Sequence, residues 1–147
     1  MGAPVVHWEI NAKDSSALKN FYSVLFGWEI NSNNPMNYGL VNTGSKRGIS
    51  GGISQSEPNM PFPPVTFYVE VDDPQACLNK VESLGGRTAV PVTVIPQMVT
   101  FALFTDPDGN TIGLVKSAEP QKKPTRRKKT TRRTVRSKSR TARRRGK

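Results

Sequence analysis

The chain has one cysteine, Cys77, and one histidine, His7, in 147 residues. A single cysteine excludes an internal disulfide and any zinc site built from thiolates, and it fits a reducing compartment. A single histidine excludes every site that needs two imidazoles from one chain. Long apolar runs are absent, and none approaches the ~20 residues that span a bilayer. The start, MGAPVVHWEIN, lacks a charged segment followed by an apolar one, so no secretory signal is expected. Gly2 alone does not make a myristoylation site, because position 6 is Val6 rather than Ser or Thr. No phosphate-binding glycine motif surrounds Gly51-Gly52 or Gly85-Gly86, which read as turn or bulge glycines.

Charge and aromatics are unevenly placed. The 22 basic and 11 acidic side chains give a formal charge of +11. Fifteen of the basic residues fall in Lys122–Lys147, a stretch without one acid. Residues 1–121 therefore hold 7 basic and 11 acidic side chains, a charge of −4. All 11 aromatic residues precede position 105. The only aliphatic side chains in Lys122–Lys147 are Val135 and Ala142, too little apolar surface to offset the entropy of ordering it. A core within residues 1–117 is expected, with a disordered Lys/Arg-rich tail at 118–147.

The core repeats itself. Asp14-Ser15-Ser16-Ala17 matches Asp73-Pro74-Gln75-Ala76, and Leu25-x-Gly27 matches Leu84-x-Gly86, all at an offset of 59. Val5–Asn11 alternates, with Val6, Trp8 and Ile10 on one side and Val5, His7, Glu9 and Asn11 on the other. Asp14 then reads as the N-cap of a helix reaching Phe26, with Leu18, Phe21, Tyr22 and Leu25 as its apolar stripe and Gly27 as its stop. Short strands are expected near Trp28–Asn31, Tyr38–Asn42 and Gly48–Ser54. The second copy (65–117) starts with the alternating strand at Val65 and continues with a helix carrying Leu78, Val81 and Leu84. Strands follow at Thr88–Val94, Val99–Thr105 and Thr111–Lys116, the last two joined by an Asp106–Asn110 turn. Between the copies (3–56 and 65–117), Glu57–Pro64 carries four prolines in eight residues and reads as a stiff connector. The predicted fold is α+β: two βαβββ modules forming a curved mixed sheet around a cleft.

These residues resemble the vicinal oxygen chelate (glyoxalase, bleomycin resistance and dioxygenase) superfamily over about residues 4–117. The likeness is carried by His7-Trp8-Glu9-Ile10, by Phe21-Tyr22 with Phe26-Gly27-Trp28, by Val69–Asp73 with Leu84-Gly85-Gly86, and most specifically by Asp106–Leu114. Together they look like small bacterial proteins related to lactoylglutathione lyase. The resemblance implies a cleft between the modules where metal-bearing members hold a divalent cation on four His, Glu or Gln ligands. Only His7 matches those positions. The others fall at Thr66, at Gly113, where the family usually has Glu, and near Gly51 or Gly52. A catalytic cation needs about three protein ligands, so no cofactor is expected and a divalent metal is disfavoured.

By alternation His7, Glu9, Thr66, Tyr68 and Glu70 face the cleft. His7, Glu9 and Glu70 are the candidate acid–base residues. Tyr38, Thr66, Tyr68, Met98 and Phe101 are the candidate ligand contacts. A hydrogen-bonded polar patch explains the same pattern, and core packing explains Trp8 and Trp28. In the tail, Lys122, Lys123, Arg126, Arg127, Lys128 and Lys129 form the first basic run, followed by Arg132, Arg133 and Arg136. Lys138, Arg140, Arg143, Arg144, Arg145 and Lys147 complete it. With no aromatic to stack on bases, these residues should bind nucleic acid through its phosphates, with little sequence preference.

Three readings follow: a small-molecule-binding protein without the family metal, with a nucleic-acid-binding tail; a lyase- or isomerase-type enzyme; or a nucleoid- or RNA-associated protein on a scaffold core. The partners implied are a small molecule, nucleic acid and a second copy of the chain. The expected location is cytoplasmic, on the nucleoid, or nuclear in a eukaryote.

Overall fold

A computed structural model describes residues 1–117, and the expectations for the basic tail lie outside the described residues. The elements run β1 (Val5–Ala12), α1 (Ser15–Phe26), β2 (Glu29–Asn31), β3 (Gly39–Asn42), β4 (Gly51–Gln55), β5 (Val65–Val71), α2 (Pro74–Ser83), β6 (Arg87–Ile95), β7 (Val99–Thr105) and β8 (Thr111–Lys116). They form one mixed sheet in the order β2-β3-β4-β1-β5-β8-β7-β6. Read from the centre outward, the two halves are the same. Each first strand pairs in parallel with its module's last strand, and β1 and β5 join the modules antiparallel. This is the expected α+β fold of two βαβββ modules.

The repeat has a local cause in the chain. Asp14 and Asp73 occupy matching N-caps. Their carboxylates accept from the backbone amides of Ala17 at 2.9 Å and Ala76 at 3.0 Å. Gly27 closes α1 with φ 67°, the left-handed conformation that glycine adopts without steric cost. Pro74 fits the first turn of α2, where its missing N–H would have no partner.

Both helices cover the same face of the sheet. Under α1, Ala12, Val41 and Ile53 are buried, and Trp8, Ile10, Leu18, Tyr22, Trp28 and Ile30 pack around them. Under α2 the buried residues are Leu78, Ala102 and Leu114, with Val69, Val71, Cys77 and Phe104 packed on them. Full burial of a side chain such as Leu78 stabilises by about 1.5–3 kcal/mol. The opposite, open face carries His7, Glu9 and Asn11 from β1 and Thr66, Tyr68 and Glu70 from β5.

Three expectations change. Of the expected α1 stripe only Leu18 and Tyr22 pack on the core, while Phe21 and Leu25 are exposed, because the helix turns a narrower face to the sheet than the spacing suggests. Val5 pairs with Val69, whereas His7 pairs with Tyr68. Val6 is therefore the extra residue of a bulge, and Val5 moves to the helix side instead of sharing a side with His7. Gly51 and Gly52 are not turn residues. They lie inside β4, opposite Trp8 and Glu9. No helix among the described residues is long and apolar enough to cross a membrane.

Candidate functional site

The site centres on Glu9, whose carboxylate is buried in the middle of the open face. The antiparallel register sets Thr66 opposite Glu9 and Tyr68 opposite His7. Three side chains donate to the carboxylate. The Tyr38 hydroxyl reaches Oε2 at 2.9 Å, and the Tyr68 hydroxyl and the Asn11 amide each reach Oε1 at 3.3 Å. Asn11 is held in turn by the Pro63 carbonyl at 2.8 Å and by the Ser54 hydroxyl.

His7 extends this network outward. Its Nε2 lies 2.9 Å from the Tyr38 hydroxyl. The Tyr38 proton is directed at Glu9, so the Tyr38 oxygen accepts and His7 Nε2–H donates. This order leaves Nδ1 as an acceptor. Burial lowers the His7 pKa below its ordinary 6.5, against a smaller opposing pull from Glu9, so the imidazole is neutral at pH 7. Tyr38 and Tyr68 are both pushed well above the usual phenol value, first by burial and then by the charge of Glu9 and the hydrogen bond to it. Both phenols stay protonated and remain donors.

Two glycines make room for the phenols. A Cβ on Gly52 would sit 1.9 Å from the Tyr38 hydroxyl oxygen, and one on Gly113 would sit 2.1 Å from the Tyr68 ring. These are positions where the family resemblance expects metal ligands. The rings take up the space that a ligand side chain would use, so a carboxylate at either position is incompatible with them. Among the described residues no three His, Cys, Asp or Glu side chains lie together as a ligand set. His7 and Glu9 are two candidates, and Glu9 already accepts three hydrogen bonds. The residues present do not fit the family's divalent cation.

The remaining candidates spread along the face. Thr66 is buried, and its hydroxyl donates to the Thr111 carbonyl at 2.9 Å, so it ties β5 to β8. Glu70 lies two residues beyond Tyr68, opposite Val115, and makes no hydrogen bond to the network. Phe101 is paired with Val115 and shares this face; its ring centroid is 6.5 Å from that of Phe62 in the connector. Met98 stands exposed in the turn between β6 and β7. Sequence reasoning missed Asn11 and Ser54 as supports of Glu9, and it treated Tyr38 as a wall rather than as the link between His7 and Glu9. The alternation of β1 was the available signal for Asn11. Tyr38 precedes β3, and nothing local marks its reach back to β1.

The fold is an eight-stranded sheet built from paired βαβββ modules. The sequence model of the Glyoxalase/Bleomycin resistance protein/Dioxygenase superfamily matches residues 5–114. The chain belongs to that superfamily. It is 32% identical over 111 residues to the protein CFP32 of Mycobacterium tuberculosis, a match covering 72% of this chain and 42% of the relative. The chain thus spans less than half of that relative's length. A glyoxylase-like domain-containing protein of Didymella fabae is 31% identical, with 70% of this chain and 85% of the relative covered. Among solved structures, a superfamily member from Vibrio splendidus aligns with a TM-score of 0.55 at 16% identity, over 80% of this chain and all of that one. Methylmalonyl-CoA epimerase from Mycobacterium tuberculosis aligns with a TM-score of 0.53 at 19% identity, over 78% and 88%. These two structural likenesses concern the fold alone.

Proposed function

We propose that the open face binds a small molecule that is cationic or rich in hydrogen-bond donors, without a divalent ion. The observation that carries this reading is the hydrogen-bonded run from His7 through Tyr38 to Glu9, which holds Nδ1 of a neutral imidazole as an acceptor. Glu70 adds a carboxylate on the same face. The open-face residues of β1, β4, β5 and β8 include no Lys or Arg, so an anionic ligand would meet no countercharge from them. Phe62 and Phe101 supply an apolar wall.

The test is an NMR titration of the full chain with a panel of small amines and polyols, with and without a chelator. Shifts converging on His7, Tyr38 and Glu70, weakened at least ~10-fold by His7→Ala and indifferent to the chelator, support the reading. Binding that needs a metal, or that maps elsewhere, overturns it.

The same network supports a second reading, a lyase- or isomerase-type enzyme. A proton accepted at Nδ1 is matched by passage of the Nε2 proton to Tyr38 and of the Tyr38 proton to Glu9. The network would then serve as a base towards an acidic C–H. Exchange of a bound compound's C–H with solvent deuterium separates this from simple binding.

Two macromolecular partners complete the proposal. The tail, Lys122–Lys147, binds nucleic acid, a reading supported by its 15 charges without an acid. Truncation at Pro120 should abolish the low-salt DNA shift, and equal shifts by both forms would end the idea. The protein partner is a second copy of the chain.

A further inference from the structure

The connector Glu57–Pro64 does more than join the modules, because its course crosses the open face. Pro63 is held at β1, where its carbonyl accepts from the Asn11 amide at 2.8 Å. Phe62, the residue before it, reaches Phe101 of β7, with the ring centroids 6.5 Å apart. β5 and β8 lie between β1 and β7 in the sheet. Three strand spacings put about 14 Å between β1 and β7, so Pro63 and the Phe62 side chain together bridge β5 and β8. Thr66, Tyr68 and Leu103 project on this side and are only 4%, 5% and 0% exposed, although both helices cover the other side.

The attachment of this bridge is slight. Pro58, Pro61, Pro63 and Pro64 have no N–H, so the segment cannot zip onto the sheet. At its start Glu57–Met60 closes a turn on itself: the Met60 N–H donates to the Glu57 carbonyl at 3.3 Å, and Asn59 takes the left-handed conformation at φ 69°. Among the described residues, its hydrogen bonds to the rest of the fold come from Asn11. The side-chain amide donates to Pro63, and the backbone N–H donates to the Pro64 carbonyl at 2.9 Å. The same side-chain amide also donates to Glu9, and its oxygen accepts from the Ser54 hydroxyl. Every donor and acceptor of the Asn11 amide is engaged, so it cannot turn to follow the connector without breaking a bond.

We propose that Glu57–Pro64 is a strap that gates the open face, with Asn11 as the latch that holds it shut. The proposal rests on the reading of that face as a binding site, and it adds how a molecule enters. When the strap lifts, Phe62 leaves Phe101 and uncovers the ground above β5 and β8. One amide serves both Pro63 and Glu9, so the state of the strap is tied to the carboxylate at the centre of the site.

The test uses the full chain and no ligand. The backbone N–H of Asn11 is freed only when Pro64 lifts, so its hydrogen exchange, followed by NMR, reports the strap. In the wild type it should exchange through a local opening that low urea does not alter, whereas the N–H of Leu114 in β8 follows urea-dependent unfolding. Asn11→Ala keeps the backbone N–H but loses the side-chain tie. Exchange at residue 11 should become at least ~10-fold faster with Leu114 unchanged. Access is read at the sole histidine, whose ring centroid lies 5.8 Å from that of Tyr68. Diethyl pyrocarbonate modifies a neutral imidazole, and Phe62→Ala, which leaves the Glu9 network intact, should raise the rate at His7 at least ~5-fold; Asn11→Ala should do the same. Exchange at residue 11 that occurs only by global unfolding overturns the gate, as do His7 rates unchanged in both variants. Either result leaves the binding reading standing. Exchange that quickens in both modules alike in Asn11→Ala overturns Asn11 as the latch, because a merely structural loss acts on the whole fold.

Discussion

Gly113 shows how a residue without a side chain defines a site. The Tyr68 ring lies where a Cβ at 113 would be, 2.1 Å away, and the Tyr68 hydroxyl reaches Glu9 from that position. Gly113→Ala forces the ring to move and loosens its bond to Glu9. The expected cost is about 1–3 kcal/mol, read as a lower urea midpoint. In a double variant with Tyr68→Ala the cost should be much smaller than the sum of the two, because the clash no longer exists. At this scale the sequence was half legible. Alternation along β1 and β5 was enough to place His7, Glu9 and Tyr68 on one face, because strand periodicity is local. The partnership of Tyr38 with Glu9 spans 29 residues, and the vacancy above Gly52 belongs to a neighbouring strand. Neither leaves a periodic trace.

The elements were read more completely than the residues, because each carries its own start and stop signals. Asp14 and Asp73 cap helices of different composition with the same geometry, and Gly27 and Pro74 sit where helix ends and starts favour them. Removing either cap, as Asp14→Ala or Asp73→Ala, should cost about 1 kcal/mol. The two losses should match within about 0.5 kcal/mol and add in the double variant, since the caps serve separate modules. Thermal melts followed by circular dichroism measure both. What the elements concealed was the bulge at Val6. A strict period of two puts Val5 beside His7, and one inserted residue reverses that side without altering the pattern further along.

The network gives the whole molecule a pH profile with two edges. The His7 pKa is depressed in the folded state, so an unfolded chain binds the proton more readily. Stability should fall as pH drops below about 6.5 and level off below the folded value. His7→Phe should flatten that acid limb. Tyr38 and Tyr68 shift upward, so their contribution is complete below pH 10 and declines above it, as unfolded phenols ionise while folded ones keep their protons. Urea midpoints between pH 5 and 11 test both limbs, and a flat profile would contradict the coupling of the three groups. The overall fold was legible because the sequence states it twice. The exposure of Phe21, Val24 and Leu25 on α1 was not, because an exposed flank and a buried one have the same helical spacing.

The glycines at 52 and 113 also govern how this site can interconvert with an ion-holding one. A carboxylate at 113 and the ring of Tyr68 exclude each other, as do a side chain at 52 and the hydroxyl of Tyr38. No single exchange leads from one arrangement to the other without passing through a sequence that is overfilled or hollow. Each intermediate is less stable than either end. The tyrosines therefore act as a latch as well as donors to Glu9: while they are seated, a side chain at 52 or 113 finds no room on the open face.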